Sequence, residues 1–138
     1  MVVRAEGPAR EVLELVKRCL SELESIDESL QKEDIDLNEV KKRIEEIRPF
    51  VSAVSAKWIP EILYALALKR EMSFNELKNT LGISSRVLSD KLKELRELGL
   101  VEKVEVEGKR GAYVLTEKGK KVVYALTPFL IAVYINKE

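Results

Sequence analysis

Two groups of side chains in this sequence have the types and spacing to do chemistry, and in both the chemistry suits a phosphate-bearing partner. The first group is Ser84, Ser85, Arg86, Ser89, Asp90 and Lys93. Leu88, Leu92, Leu95 and Leu98 recur at helical spacing and turn one face inward, which leaves Ser85, Arg86, Ser89, Asp90 and Lys93 on the outward face. An arginine in the first turn of such a helix can hold guanine O6 and N7 in a bidentate pair, grip a phosphate, or simply stand in solvent. Serine hydroxyls can donate to phosphate oxygens, although Ser84 is placed first of all to cap the helix. Asp90 suits no phosphate and is expected to pair with Arg86 or Lys93 along the helix. The second group is Lys109-Arg110, two consecutive cations between Gly108 and Gly111. A Gly-Lys-Arg-Gly run also resembles the GXXG loop of a KH domain, but that loop joins two helices and this run joins two predicted strands.

Other chemistries lack their reagents. The chain has no histidine, which removes the commonest general base and the commonest metal ligand. Its one cysteine, Cys19, cannot form an intrachain disulfide, and on an apolar seam it reads as a small filler rather than a reactive thiol. Glu45-Glu46 stands beside Lys41 to Arg43 and reads as a solvated ion-pair face. Trp58 could stack on a ligand, but at the start of an amphipathic helix it reads as core. No catalytic constellation, cofactor or metal site is expected. A high Glu and Lys content with a single Gln is compatible with a thermophilic source.

The elements that must carry these residues follow from patterning. At 138 residues, 46% hydrophobic and 35% charged, the chain is long enough for one compact domain with an attached arm, and too short for a multidomain enzyme. Charge is uneven: residues 1–56 hold 9 basic and 13 acidic side chains, residues 57–138 hold 15 and 11, and the total is zero. We therefore divide the chain into an N-terminal helical arm, 1–56, and a second domain, 57–138. Within the arm, Val12, Val16, Cys19, Leu23, Ile26 and Leu30 form an a/d seam about three heptads long. A second row, Leu37, Val40, Ile44 and Ile47, is expected to stop before Pro49. The two rows suggest a coiled-coil-like helical hairpin that either packs on the rest of the chain or serves as a dimerisation arm.

In the second domain Trp58, Ile62, Leu63, Leu66 and Ala67 make one face of a helix over 56–69. Ser73 and Glu76 have the spacing of a capping box for a short helix ending at Leu81-Gly82, and Ser84 can cap a third helix through Leu98 that Gly99 ends. Two helices joined by a tight glycine turn form a helix-turn-helix. Strands over 100–106 and 112–115, joined by Glu107 to Gly111, make a basic hairpin, or wing. Thr116 caps a last helix, apolar on most sides beyond Val122, interrupted by Pro128 and in need of a partner. Its apolar stretch, Val122 to Ile135, is short of the roughly 20 residues that span a bilayer. Met1 to Arg10 lack the pattern of a signal peptide, so a cytoplasmic protein without a membrane partner is expected.

Taken in order, Lys57-Trp58, Phe74-Asn75-Glu76-Leu77, Ile83-Ser84 with Val87-Leu88-Ser89, Leu92-Lys93-Glu94-Leu95 with Gly99-Leu100-Val101, and Tyr113 to Gly119 resemble the HxlR family of winged-helix transcription regulators. MarR-like and PadR-like regulators share most of these pieces but not the Lys-Trp and Phe-Asn-Glu-Leu elements. The resemblance implies a homodimer on a two-fold-related site in double-stranded DNA, with the third helix in the major groove and the wing on the adjacent backbone or minor groove. By position it assigns DNA contact to Ser84, Ser85, Arg86, Ser89, Asp90, Lys93, Lys109 and Arg110, and it specifies neither a cofactor nor a small-molecule effector. The chain departs from the family pattern in its 56 residues before Lys57, in Ser55-Ala56 where a glycine pair is usual, and in a shorter wing without prolines. The Ser55-Ala56 pair is expected to let the helix start earlier and join the arm.

The expected fold is therefore mainly α with a small β-hairpin, a winged helix-turn-helix with an N-terminal helical arm and a C-terminal dimerisation helix. The expected function is sequence-specific, dimeric DNA binding in transcription regulation. The alternative is a winged helix used for protein-protein assembly, since a fold does not fix a function and the net charge is zero.

Overall fold

The computed structural model describes the backbone of residues 7–106 and 109–135, and side chains for residues 7–105 and 111–134. Its elements run α1 (Gly7–Lys32), α2 (Leu37–Ser55), α3 (Ile59–Lys69), β1 (Glu71–Ser73), α4 (Phe74–Leu81), α5 (Ser85–Glu97), β2 (Val101–Val106), β3 (Lys109–Leu115) and α6 (Glu117–Ile135). This is the mainly helical, winged helix-turn-helix order that the sequence implies. The described chain forms two compact units, one of Lys42–Ala125 and one joining the chain up to Lys41 with the chain from Leu126.

The larger unit is built on leucine and isoleucine at helical spacing. Ile59, Ile62, Leu63 and Leu66 of α3, Leu77 of α4, Leu88, Leu92 and Leu95 of α5, and Leu100 are all but inaccessible to solvent. They form one cluster with Val54, Met72, Ile83, Val101, Tyr113, Leu115 and Val123. Burying a leucine or isoleucine side chain contributes about 1.5–3 kcal/mol, so this cluster is the main driving force for the fold. Among the described residues no polar or charged side chain is buried. Trp58 packs against the same cluster, as a core residue should, and the Lys57 ammonium lies 5.4 Å from the centre of its ring.

The sheet has the order β1-β3-β2, antiparallel throughout. Its third strand, β1, is an addition to the expected hairpin. Arg70 takes a positive φ of 70° that ends α3, and Met72 is then buried between the exposed Glu71 and the partly exposed Ser73 and pairs with Tyr113. Three residues carry too little alternation to announce a strand. β3 also begins earlier than expected, at Lys109 rather than Ala112, with Val106 opposite Lys109 and a register irregularity between Val104 and Val106.

Three further expectations are corrected. α2 does not stop before Pro49 but runs through it to Ser55. The carbonyl that proline leaves without its N–H partner is that of Glu45, on an exposed stretch where water can serve it, while Phe50 and Val54 beyond it pack on the core. Pro128 likewise leaves α6 uninterrupted, four residues after the exposed Tyr124. Nor does the arm join the next helix: α2 ends at Ser55, α3 starts at Ile59, and the two are bent by 72°. Trp58 at that break has φ 76°, a strained conformation for a bulky residue, held by its packing on the core.

The apolar rows of the arm are mostly uncovered in the single chain. Of the α1 seam only Val16 is buried, Ile26 is 47% exposed and Cys19 is exposed rather than a buried filler. On α2, Leu37 is 78% exposed and Ile47 56%. Among the described residues, no single helix is long and apolar enough to cross a membrane.

Candidate nucleic-acid interface

The helix-turn-helix is set by its caps. The Ser73 hydroxyl accepts the Glu76 N–H at 3.1 Å and the Glu76 carboxylate accepts the Ser73 N–H, which is the reciprocal capping box. Gly82 takes the left-handed conformation, φ 65°, at the end of α4. Ser84 then caps α5, its hydroxyl accepting the Val87 N–H at 3.3 Å. Two short helices are thus ended and started within three residues.

With Leu88, Leu92 and Leu95 in the core, periodicity forces the opposite face of α5 outward. Ser84, Ser85, Arg86, Ser89, Asp90 and Lys93 are all exposed, on one continuous surface at the N-terminal end of the helix and its first turns. The expected pairing of Asp90 with Arg86 or Lys93 does not form; the ion pair on this helix is Lys91 to Glu94, at 3.6 Å. Arg86 and Lys93 are therefore left without a protein anion among the described residues. Uncommitted cations on a convex helix can meet phosphate or a base edge.

The far end of α5 is tied down from a distance. Leu100 N–H donates to the Leu95 carbonyl and Gly99 N–H to the Arg96 carbonyl, both at 3.0 Å, the two bonds of a Schellman ending. Thr116 donates its hydroxyl to the Gly99 carbonyl at 2.6 Å, and the Thr116 hydroxyl oxygen in turn accepts the Gly119 N–H to cap α6. Lys118 reaches back to the Leu98 carbonyl at 3.2 Å, with its ammonium 5.0 Å from the centre of the Phe50 ring. A cation at the C-terminal carbonyls of a helix is also favoured by the helix dipole. The Thr116 to Gly119 segment thus fixes where α5 ends and β2 begins.

A shallow groove between α5 and β2 is lined by Lys93, Arg96, Glu97, Glu102 and Lys103. It adds Arg96 and Lys103 to the cations expected near the site. Helical spacing from Lys93 could have suggested Arg96; Lys103 joins it only through the fold. Lys103 also lies over the Tyr113 ring, at 5.9 Å, across the β2–β3 pair. Lys109 and Arg110 stand at the start of β3 rather than in a loop, and their side chains lie outside the described residues, as do residues 107 and 108. Among the described residues no cluster of His, Cys, Asp or Glu could hold a metal ion.

Comparison with known proteins agrees with this arrangement. The model of the HxlR-like helix-turn-helix family matches residues 53–131. An uncharacterized HTH-type transcriptional regulator of Bacillus subtilis, YdzF, is 33% identical over 75 residues, which span 52% of this chain and 69% of the relative. Among solved structures, diamide-treated YodB from B. subtilis is 27% identical, with a TM-score of 0.54 over 63% of this chain and 87% of its own. The transcriptional repressor BigR from Xylella fastidiosa is 29% identical, with a TM-score of 0.52 over 70% of this chain and 95% of its own. These relatives are regulators rather than enzymes. The family match begins at Ala53 and so takes in the end of α2, the helix-turn-helix, the wing and most of α6. With the capped α4-turn-α5 unit and its uncommitted outward cations, the chain belongs to the HxlR-like helix-turn-helix family and is a DNA-binding transcriptional regulator.

Proposed function

We propose that the protein binds a two-fold-related DNA site as a homodimer, one α5 in the major groove of each half-site and one β2–β3 wing on the adjacent backbone or minor groove. The exposed face of α5 carries this reading, because Arg86 and Lys93 lie on one convex surface of a helix whose opposite side is fixed in the core. Arg86 reads a base, Ser85, Ser89 and Lys93 hold phosphates, and Ser84 combines capping with phosphate contact. Asp90 sits among them and limits nonspecific affinity. The zero net charge of the whole chain points the same way, since the attraction is local to residues 57–138. The protein would act in the cytoplasm with the DNA it reads.

Selecting bound fragments from random DNA with the purified protein tests this directly. Enrichment of a two-fold-related sequence is expected. No enrichment, even at low salt, would favour use of the winged helix for protein assembly. On the enriched site, Arg86→Ala should cost about 1 to 3 kcal/mol and relax the preference at one position of each half-site. Equal losses on specific and random DNA would reassign Arg86 to phosphate.

The dimer reading rests on the uncovered apolar rows. The α1 seam, the α2 row and the exposed Phe129 and Val133 of α6 make more apolar surface than a soluble monomer usually leaves in water. Light scattering should give twice the chain mass at micromolar concentration. A monomer under those conditions would overturn the dimer.

A further inference from the structure

A second concave site lies within the Lys42–Ala125 unit, where the end of α3, β1, β3 and the start of α6 border an open cleft of about 750 Å³. Its floor is apolar, from Leu66, Leu115 and Val123. Its rim is cationic, from Lys69, Arg70 and Lys120. Lys120 is already paired with Glu117 at 3.2 Å, and Glu71 lies on the same rim, so the five charges leave a surplus of one positive. Neither Lys69 nor Arg70 has an ion-pair partner among the described residues.

Arg70 also breaks a local rule. It holds φ 70°, where glycine would be relaxed and an arginine is strained, while its N–H donates to the Leu66 carbonyl at 2.9 Å. Arg70 lines this open cleft together with Lys69, beside the apolar floor. We propose that this cleft binds a small amphipathic monoanion, a carboxylate on an apolar or aromatic body, with the carboxylate on Arg70 and Lys69 and the body on the Leu66, Leu115 and Val123 floor. The guanidinium fork matches a carboxylate in two parallel hydrogen bonds, and the surplus of one charge matches one anion. β1 (Glu71–Ser73) follows directly on Arg70 and ends at Ser73, the cap of α4, so an anion bound at Arg70 lies next to the strand that leads into the helix-turn-helix. The site shares none of its residues with the DNA face of α5, and its failure would leave the DNA-binding reading intact.

Naphthalene-1-carboxylate, with 1-naphthalenemethanol as its neutral counterpart, serves as the probe, followed by amide chemical shifts of the full-length protein. The carboxylate should give saturable shifts centred on residues 69–71, 114 and 120, and the alcohol should bind about tenfold more weakly. Arg70→Gly should weaken the carboxylate by about tenfold while leaving Tm equal to or above that of the parent, because glycine relieves the strain. A merely structural arginine would show no such loss. Three results would each overturn the proposal: no saturable shift up to millimolar probe, equal binding of acid and alcohol, or shifts centred instead on the apolar rows of α1 and α2. Undiminished binding by Arg70→Gly would overturn it as well.

Discussion

Gly119→Ala should destabilise the protein by about 3 kcal/mol, read as a lowered urea midpoint at an unchanged slope. A Cβ at this position would overlap the backbone carbonyl oxygen of Leu100 and lie 3.1 Å from its carbon. The usual benefit of alanine over glycine inside a helix, about 1 kcal/mol, acts in the opposite direction and is outweighed. The obstacle is backbone, which cannot rotate aside as a side-chain tip can. Leu100 is also held at both ends: its carbonyl accepts the Thr116 N–H at 3.0 Å and its N–H closes the Schellman ending of α5 on Leu95. Relieving the overlap must therefore part α6 from the junction of α5 and β2, or break one of those bonds and expose a fully buried leucine. A midpoint within error of the parent would show that the junction yields freely, and that Thr116 to Gly119 does not fix the end of α5.

Those same residues show how far the sequence could be read. Thr116 announces itself as a helix cap, and the cap is there. Its second bond, to Gly99, and the reach of Lys118 to Leu98 join residues 17 and 20 apart, and no local pattern encodes such a contact. The caps at Ser73 and Ser84 and the leucines of α5 were legible because each rests on residues within a turn of one another. The outward face of α5 followed from those leucines by periodicity alone. β1 was not legible, since three residues beside a helix end form a strand only when β3 is there to pair with them. The end of α2 was not legible because Pro49 is an ordinary stop signal, and only the core beneath Phe50 and Val54 carries the helix past it. In the arm, the heptad spacing of Val12 to Leu30 marks the helix, but the spacing does not say what covers the seam. Lys103 and Arg96 belong with this class, since the groove they share with Lys93 exists only once β2 lies beside α5.

Replacing Lys109 and Arg110 together by alanine should make DNA binding much less sensitive to salt while leaving the preferred sequence unchanged. Both residues begin β3, with Lys109 paired to Val106 of β2. A short hairpin that follows the helix-turn-helix in sequence can approach the duplex only at its far end, which is where these two cations stand. In the proposed binding mode cations there meet the phosphate backbone, which repeats regardless of sequence. Each phosphate neutralised releases condensed counterions and contributes about 0.9 to the slope of log affinity against log salt concentration. Two residues on each of two wings give at most four contacts, so the slope should become shallower by up to about 3 to 4. In the proposed binding mode base preference depends on α5, whose caps and buried leucines the substitutions do not touch. The two classes of contact can therefore be separated in one experiment: Arg86→Ala should change which sequence is preferred, and the wing variant should change how binding responds to salt. An unchanged slope would hold the wing off the DNA and leave the contact to α5, with Arg96 and Lys103 of the adjoining groove as the next cations to replace.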